Sequence, residues 1–490
     1  MRLVAPFAHT SKGPVEMNVA VRLADYLQGL RTLPRGSDWP RISAEEEAPL
    51  RAELFSSEQM DQRGRILAAS HRVISTSGSD RLLARLAANE RILIEVCRLL
   101  SGVGADKQRI TPAGEWLLDN FYLIEEQIRT AKRHLPKGYS RELPRLAAGT
   151  AAGQPRIYDV ALEVVAHGDG HLDTDSLGRF VVAYQSVTAL TLGELWAIPI
   201  MLRLAVIENL RRVAVRIAAA RVERNLAAAW ADRIVETATN DPKSMVLVIA
   251  DMARSTPPMV CSFVAELSRR LQGRGPMLAL PVNWLEQQLA ESGLTIEQLV
   301  QVENQQQAAD QVSVSNSIGS LRALGAIDWR EFVETMSVVE QTLRQDPDGV
   351  YARMDFASRD RYRHATEEMA KKSRLTEREV ARKAVDLARA AASGGDAGDR
   401  SRHVGYYLID KGVPELEHAL AFRPSSIDRL RRAFSRCPVP IYLGAIVLLG
   451  VLPSGALLAC FPMVGRPAWA VAFALPSLGL LIVLGVSQLA

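Results

Sequence analysis

From about Pro49 onward the apolar residues of the chain recur with a helical period. Leu82, Leu86, Leu93, Cys97 and Leu100 fall on one side of a 3.6-residue turn, which predicts a helix ending at Ser101-Gly102. A second helix is marked at its start, where Thr111-Pro112 supplies an N-cap and the proline tolerated at the first helical position. Its stripe runs through Leu117, Phe121, Ile124, Ile128 and Leu135 until Pro136 and Gly138 stop it. Further caps recur at Thr295-x-x-Gln298, Asp328-x-x-Glu331 and Thr376-x-x-Glu379, each placing a side-chain acceptor where backbone N–H groups lack a partner. RIYDVALEVVA and FVVAYQSVTAL carry the β-branched residues of strands, yet the same residues line buried helices equally well. The pattern as a whole predicts an all-α fold, and no fixed repeat period runs through it.

The spacing also divides the chain. Residues 1–48 mix Pro, Gly and charge with one short helix near Val19 to Leu30, and read as a loosely held leader. A cytoplasmic helical domain is expected over 49–392, a linker, SGGDAGDRSR, over 393–402, and a basic juxtamembrane helical segment over 403–437. From 438 to 490 the only charged residue is Arg466. A hydrocarbon core about 30 Å thick needs roughly 20 apolar residues to cross. The stretches at about 439–461 and 467–487 each supply that length, and together predict a two-helix transmembrane hairpin. Arg423, Arg429, Arg431, Arg432 and Arg436 ahead of the first span, against Arg466 alone in the connecting turn, place the large N-terminal part in the cytoplasm of a multi-pass inner-membrane protein. The lipid bilayer is therefore an expected partner. Arg429, Arg431, Arg432 and Arg436 are the residues expected to touch anionic head groups, at about 1 kcal/mol each.

Composition sharpens this picture in three places. A net charge of +4 from 59 basic and 55 acidic side chains supplies no field for nucleic acid. The four cysteines, Cys97, Cys261, Cys437 and Cys460, stand far apart without a CxxC spacing, so neither a disulfide framework nor a zinc site is indicated. Pro6, His9 and Lys12 interrupt the N-terminal apolar run, so it is no signal peptide, in keeping with a reducing compartment.

Candidate chemistry is concentrated in two clusters. In HGDGHLDTDSLGR, His167, Asp169, His171, Asp173 and Asp175 alternate, a donor set a divalent cation would accept. Thr174 stands where a calcium loop would want glycine, however, and a solvated turn between two apolar segments accounts for the pattern without a metal. In MDFASRDRYRHATEE, the residues Asp355, Arg359, Asp360, Arg361 and Arg363 crowd a helix start, where forked guanidiniums suit a phosphate or a sugar nucleotide. The alternative is an intramolecular salt-bridge network joining helices. Asp346-Pro347-Asp348-Gly349 ahead of it is turn chemistry. The amide-rich ENQQQAADQVSVSNSIGSLR suits a polar interhelical network or a binding groove. His71, His134, His403 and His418 read as ordinary helix or loop histidines. No GxSxG elbow, Walker loop, HExxH pair or QxxRW motif is present, and no catalytic or metal-ligating residue is assigned.

Several long phrases nevertheless match a family. PLRAELFS, LLDNFYLIEEQIRTAKRHLPKGYSRELPRL, LTLGELWAIPIMLRLAVIENLRR, YARMDFASRDRYRHATEE and HVGYYLIDKGVPELE resemble, in matching order over about Pro49 to Glu417, the amino-terminal part of bacterial cyclic β-1,2-glucan synthases. The resemblance implies a large inner-membrane enzyme that draws glucose from UDP-glucose in the cytoplasm and builds a β-1,2 chain. Its transferase motifs and a phosphorylase-like region lie beyond the first spans, so UDP-glucose and a divalent cation would belong to the transferase and not to this chain. The expected function is then a membrane-anchored, non-catalytic amino-terminal module, from a truncated or split synthase, partnered with the glycosyltransferase part. Two other readings stay open: an independent membrane adaptor or scaffold, and a sugar-nucleotide-binding enzyme built on the cluster from Asp355 to Arg363.

Overall fold

The computed structural model describes residues 49–50, 55–74, 81–102, 110–136, 138–149, 151–273, 278–393 and 400–422. The leader, residues 394–399 of the expected linker, the five arginines from Arg423 to Arg436 and both expected spans lie outside these residues. Among the described residues no helix is long and apolar enough to cross a membrane. The chain divides into two compact units, one ending at Val338 and the other beginning at Val339, a division that apolar periodicity does not mark.

The first unit contains twelve helices among its described residues: α1 (Ser57–Ser70), α2 (Leu82–Ser101), α3 (Pro112–Asp119), α4 (Phe121–His134), α5 (Arg156–His167), α6 (Thr174–Gln185), α7 (Leu192–Asn240), α8 (Met245–Arg254), α9 (Cys261–Leu271), α10 (Ala279–Ala290), α11 (Ile296–Ala323) and α12 (Trp329–Met336). Two-residue strands β1 (Val73–Ile74) and β2 (Arg145–Leu146) pair antiparallel. The all-α expectation therefore holds for the described residues. RIYDVALEVVA lies in α5, and FVVAYQSVTAL runs from α6 into the turn before α7.

The caps read from the sequence form as expected. Thr295 and Gln298 make a reciprocal capping box on α11, and Asp328 accepts from the N–H groups of Arg330 and Glu331. The stripe that follows Thr111-Pro112 is broken, however, into α3 and α4. Asn120 sits between them at φ −106°, ψ 11°, with its Nδ2 donating to Trp116 O at 2.9 Å and its Oδ1 accepting from Arg322 Nη2 at 2.5 Å. That tertiary bond holds Asn120 off the helical path, and apolar spacing alone cannot register it.

The organising element is α7. Its 49 residues make a rod of about 73 Å at 1.5 Å per residue, opened by the capping box of Thr191 and Glu194. Every residue from Ile200 to Ala214 is buried, so this part of the helix is surrounded on all sides. Helices α2, α5, α9 and α11 pack along it. One apolar core, including Leu86, Leu93, Ile124, Phe180 and Val206, surrounds its first half. A second, with Trp230, Ile234, Phe263, Leu267 and Leu285, gathers on its second half.

Complete burial requires the polar side chains of α7 to find hydrogen-bond partners inside the protein. Arg203 Nε donates to Gln127 Oε1 at 2.7 Å. Glu208 Oε1 accepts from Arg85 Nη2 at 2.9 Å and from Arg211 Nη2 and Arg212 Nε at 3.0 Å each, and its Oε2 accepts from Asn89 Nδ2 at 2.8 Å. Burial alone would raise the Glu208 pKa, but these guanidiniums hold it well below the usual carboxylate range. The neighbouring Tyr158 hydroxyl, desolvated in the same knot, is pushed up to about 12.

The second unit comprises α13 (Val338–Leu343), α14 (Phe356–Lys371), α15 (Glu377–Ser393), α16 (Val404–Ile409) and α17 (Val413–Ala419). Leu343, Tyr351, Val380, Val385, Leu408 and Leu416 are among the residues of its own apolar core.

Candidate functional site

In the second unit the Asp355 to Arg363 cluster is organised around a residue that sequence reading did not single out, Glu340. Arg363 has no exposed side-chain surface; its Nη1 donates to Glu340 Oε2 at 2.8 Å and its Nη2 to Asp360 Oδ1 at 3.0 Å. Its guanidinium also lies 5.1 Å from the Phe356 ring centroid. Arg344 Nε donates to Glu340 Oε1 at 2.9 Å, Arg359 Nε stands 3.5 Å from the same oxygen, and Tyr351 OH donates to Oε2 at 2.6 Å. Burial, and after it the bond to Glu340, raises the Tyr351 pKa. Asp355 caps α14, accepting from Ala357 and Ser358 N–H at 3.1 and 3.3 Å. Arg361 is exposed. Three of the five candidates, Arg359, Asp360 and Arg363, are thus turned inward toward Glu340 and one another, while the capping Asp355 and Arg361 are exposed.

A second polar join lies in the same unit. Asp346, read as a turn residue, accepts from Val404 N–H at 3.0 Å, from Tyr351 N–H at 3.2 Å and pairs with His403 Nδ1 at 2.7 Å. His403 Nε2 lies 3.4 Å from Tyr362 OH. Burial would raise the Asp346 pKa, but the His403 bond and the two backbone donors outweigh it and lower the pKa. A depressed folded-state pKa means that Asp346 contributes its full stability above the ordinary aspartate value near pH 4 and loses it as pH falls through the lower folded value. We therefore expect acid titration to release the Asp346 contacts only below about pH 4, a loss absent in Asp346→Asn, read by amide exchange at Tyr351 and Val404. Loss of protection at both amides already at pH 5 to 6 in the native protein would overturn this.

In the first unit HGDGHLDTDSLGR and the amide-rich stretch meet. The turn after α5 docks on α11: Ser320 Oγ donates to Gly170 O at 2.7 Å and accepts from Leu172 N at 2.8 Å, while Asn316 Nδ2 donates to Asp169 O at 3.2 Å. Asn209 of α7 completes the join, donating to Ser313 and Ser317 Oγ at 3.2 Å each and accepting from Leu50 N at 3.0 Å. Gly170 has φ +77°, and a Cβ there would fall 2.4 Å from Ser317 Oγ, so both backbone conformation and space require glycine. His167 stacks on Phe55 with centroids 3.7 Å apart, and Asp173 caps α6 through Ser176 N–H at 2.9 Å, which lowers its pKa. Among the described residues no group of three His, Cys, Asp or Glu side chains is placed to hold a metal ion.

His71 and Tyr184, also unremarkable in sequence, form a further join: His71 Nδ1 lies 2.7 Å from Tyr184 OH and Nε2 3.1 Å from Asp159 Oδ2. The nearby Arg156 is fully paired with Glu194, whose carboxylate also closes the α7 capping box. Cys97 is a free buried thiol pushed up to about 12 by burial and then by Glu125, which makes it a poor nucleophile.

An open groove of about 1050 Å³ lies in the first unit, walled by α1, α6, the end of α11 and α12. Val182, Ile327, Phe332 and Met336 give it an apolar floor. Asp61, Asp175, Asp328 and Glu331 face Arg65 and Arg179 around its rim. Such a surface suits recognition by shape and charge, with no nucleophile paired to a base.

No family model matches the chain. Over 372 residues, 75% of this chain, it is 32% identical to cyclic beta-(1,2)-glucan synthase NdvB of Rhizobium meliloti. The chain is a relative of the cyclic β-(1,2)-glucan synthases. It spans 13% of the length of that synthase. Because 372 aligned residues exceed the 338 of the first unit, the similarity to the glucan synthase reaches both units.

Proposed function

We propose that this chain is the amino-terminal, membrane-anchored and non-catalytic module of a cyclic β-1,2-glucan synthase. It is a helical cytoplasmic scaffold that supports a UDP-glucose-dependent transferase. The observation that carries the reading is the similarity to a glucan synthase across both units, combined with a candidate polar cluster whose members, Arg361 excepted, are bonded to one another or to backbone. In this reading Arg359, Asp360 and Arg363 are scaffold. UDP-glucose and a divalent cation bind in the transferase and not here. The uncharged stretches at about 439–461 and 467–487 support an inner-membrane hairpin, with Arg429, Arg431, Arg432 and Arg436 at the lipid head groups. The boundaries at 49, 393, 403 and 438 follow from the same pattern.

The test is to incubate membranes holding this chain alone with labelled UDP-glucose, and to repeat with a glucan synthase whose matching segment has been replaced by this chain. No incorporation is expected in the first case and β-1,2-glucan in the second. Product from this chain alone overturns the non-catalytic role, and a silent hybrid overturns the supporting one. Release of the chain from vesicles by alkaline carbonate would overturn the anchoring.

A further inference from the structure

We propose that the groove between α6 and α12 is the docking site of the chain's own amino-terminal leader, which it holds through an amphipathic helix near Val19 to Leu30. The groove asks for an apolar stripe flanked by cations. Val182, at 55% exposure, leaves the apolar floor open to solvent, and four carboxylates outnumber two guanidiniums at the rim.

The leader answers each requirement. Val19, Leu23, Leu27 and Leu30 lie on one face of a 3.6-residue period, with Arg22 and Arg31 beside them against Asp25. An amphipathic helix laid into an apolar groove is a recurrent recognition mode.

Tethering makes this segment the favoured occupant. The chain is fastened at Leu50, whose N–H is bonded to Asn209, seven positions ahead of the start of α1 at Ser57, and α1 carries Asp61 and Arg65 into the groove wall. The 18 residues from Arg31 to Ala48 can span up to about 60 Å, so the helix reaches the groove without strain. A flexible tether of this length gives an effective concentration in the millimolar range. An intrinsic dissociation constant near 100 μM would then keep the groove about nine-tenths filled.

The experiment is limited trypsin digestion of the solubilised full-length chain, following cleavage after Arg22 by mass spectrometry. When opening is fast, cleavage tracks the undocked fraction. Cleavage after Arg22 is expected to be about tenfold slower in the native chain than in Val182→Arg, which blocks the groove, or in Leu27→Asp, which spoils the stripe. Leu247→Arg, at an exposed position on α8, should leave the rate unchanged. Equal rates for the native chain and Leu27→Asp overturn the proposal even if Val182→Arg disturbs the fold. So does an acceleration by Leu247→Arg as large as that by Val182→Arg.

Discussion

Replacing Glu208 by glutamine is expected to cost the first unit about 3–5 kcal/mol. Glu208 is the common acceptor of Arg85, Arg211 and Arg212, and it lies on the stretch of α7 that is buried all round. Glutamine keeps the shape but removes the charge, leaving three cations in a medium where desolvation is no longer offset. The pair is asymmetric in its consequences: a charged knot adds little net stability when intact, yet breaking one member is severe. Urea unfolding followed by tryptophan fluorescence in a Trp469→Phe background measures the loss, because Trp469 is the one tryptophan of the seven in the sequence that falls after Val338. The exposed Glu126→Gln is the control and should stay within about 0.5 kcal/mol. A Glu208→Gln loss no larger than that of the control would show that water reaches the knot and that burial is not what couples these charges.

The same contrast explains what the sequence disclosed. Thr111-Pro112, Thr295-x-x-Gln298 and Thr376-x-x-Glu379 were legible because capping is a three-residue interaction, complete within the quoted stretch. The turn at His167 to Asp173 was legible as a turn, since glycine and aspartate set backbone conformation locally. Its seat on Asn316 and Ser320 was not, because those residues lie some 150 residues along the chain. Glu340 was silent for a related reason. One glutamate in VVEQTL looks like a helix surface, and only the approach of Arg363 and Tyr351 makes it the centre of a buried cluster. In α7, a helix buried on every side has no polar face, so the amphipathic period that marks other helices is missing, and IMLRLAVIENLRR gives charges without saying which partners neutralise them. The groove was illegible altogether. It is made of helix ends and a helix face brought together by packing, and no local pattern encodes concavity.

Arg363→Met is expected to weaken the second unit by about 3 kcal/mol, and this change also separates a scaffold from a binding site. Methionine replaces the stem of the buried arginine but takes from Glu340 its 2.8 Å guanidinium partner and from Asp360 its partner at 3.0 Å. Glu340→Leu alone should cost a comparable amount, because it removes the buried carboxylate that Arg344, Arg359 and Arg363 share and leaves Arg363 with Asp360. The double variant should cost about 2 kcal/mol less than the sum, since two apolar side chains of suitable volume can share the vacated space. Amide exchange in α14 and α15 is the appropriate readout, because it reports this unit separately from the first. Arg361→Ala, at an exposed position on the same helix, should change neither exchange nor stability by more than about 0.5 kcal/mol. If Arg363 instead served a sugar nucleotide, Arg363→Met would abolish a saturable UDP-glucose titration while exchange in α14 stayed as in the native chain. The two roles therefore predict opposite results from one variant, and the zero exposure of Arg363 against Glu340 at 2.8 Å is the physical reason to expect the first.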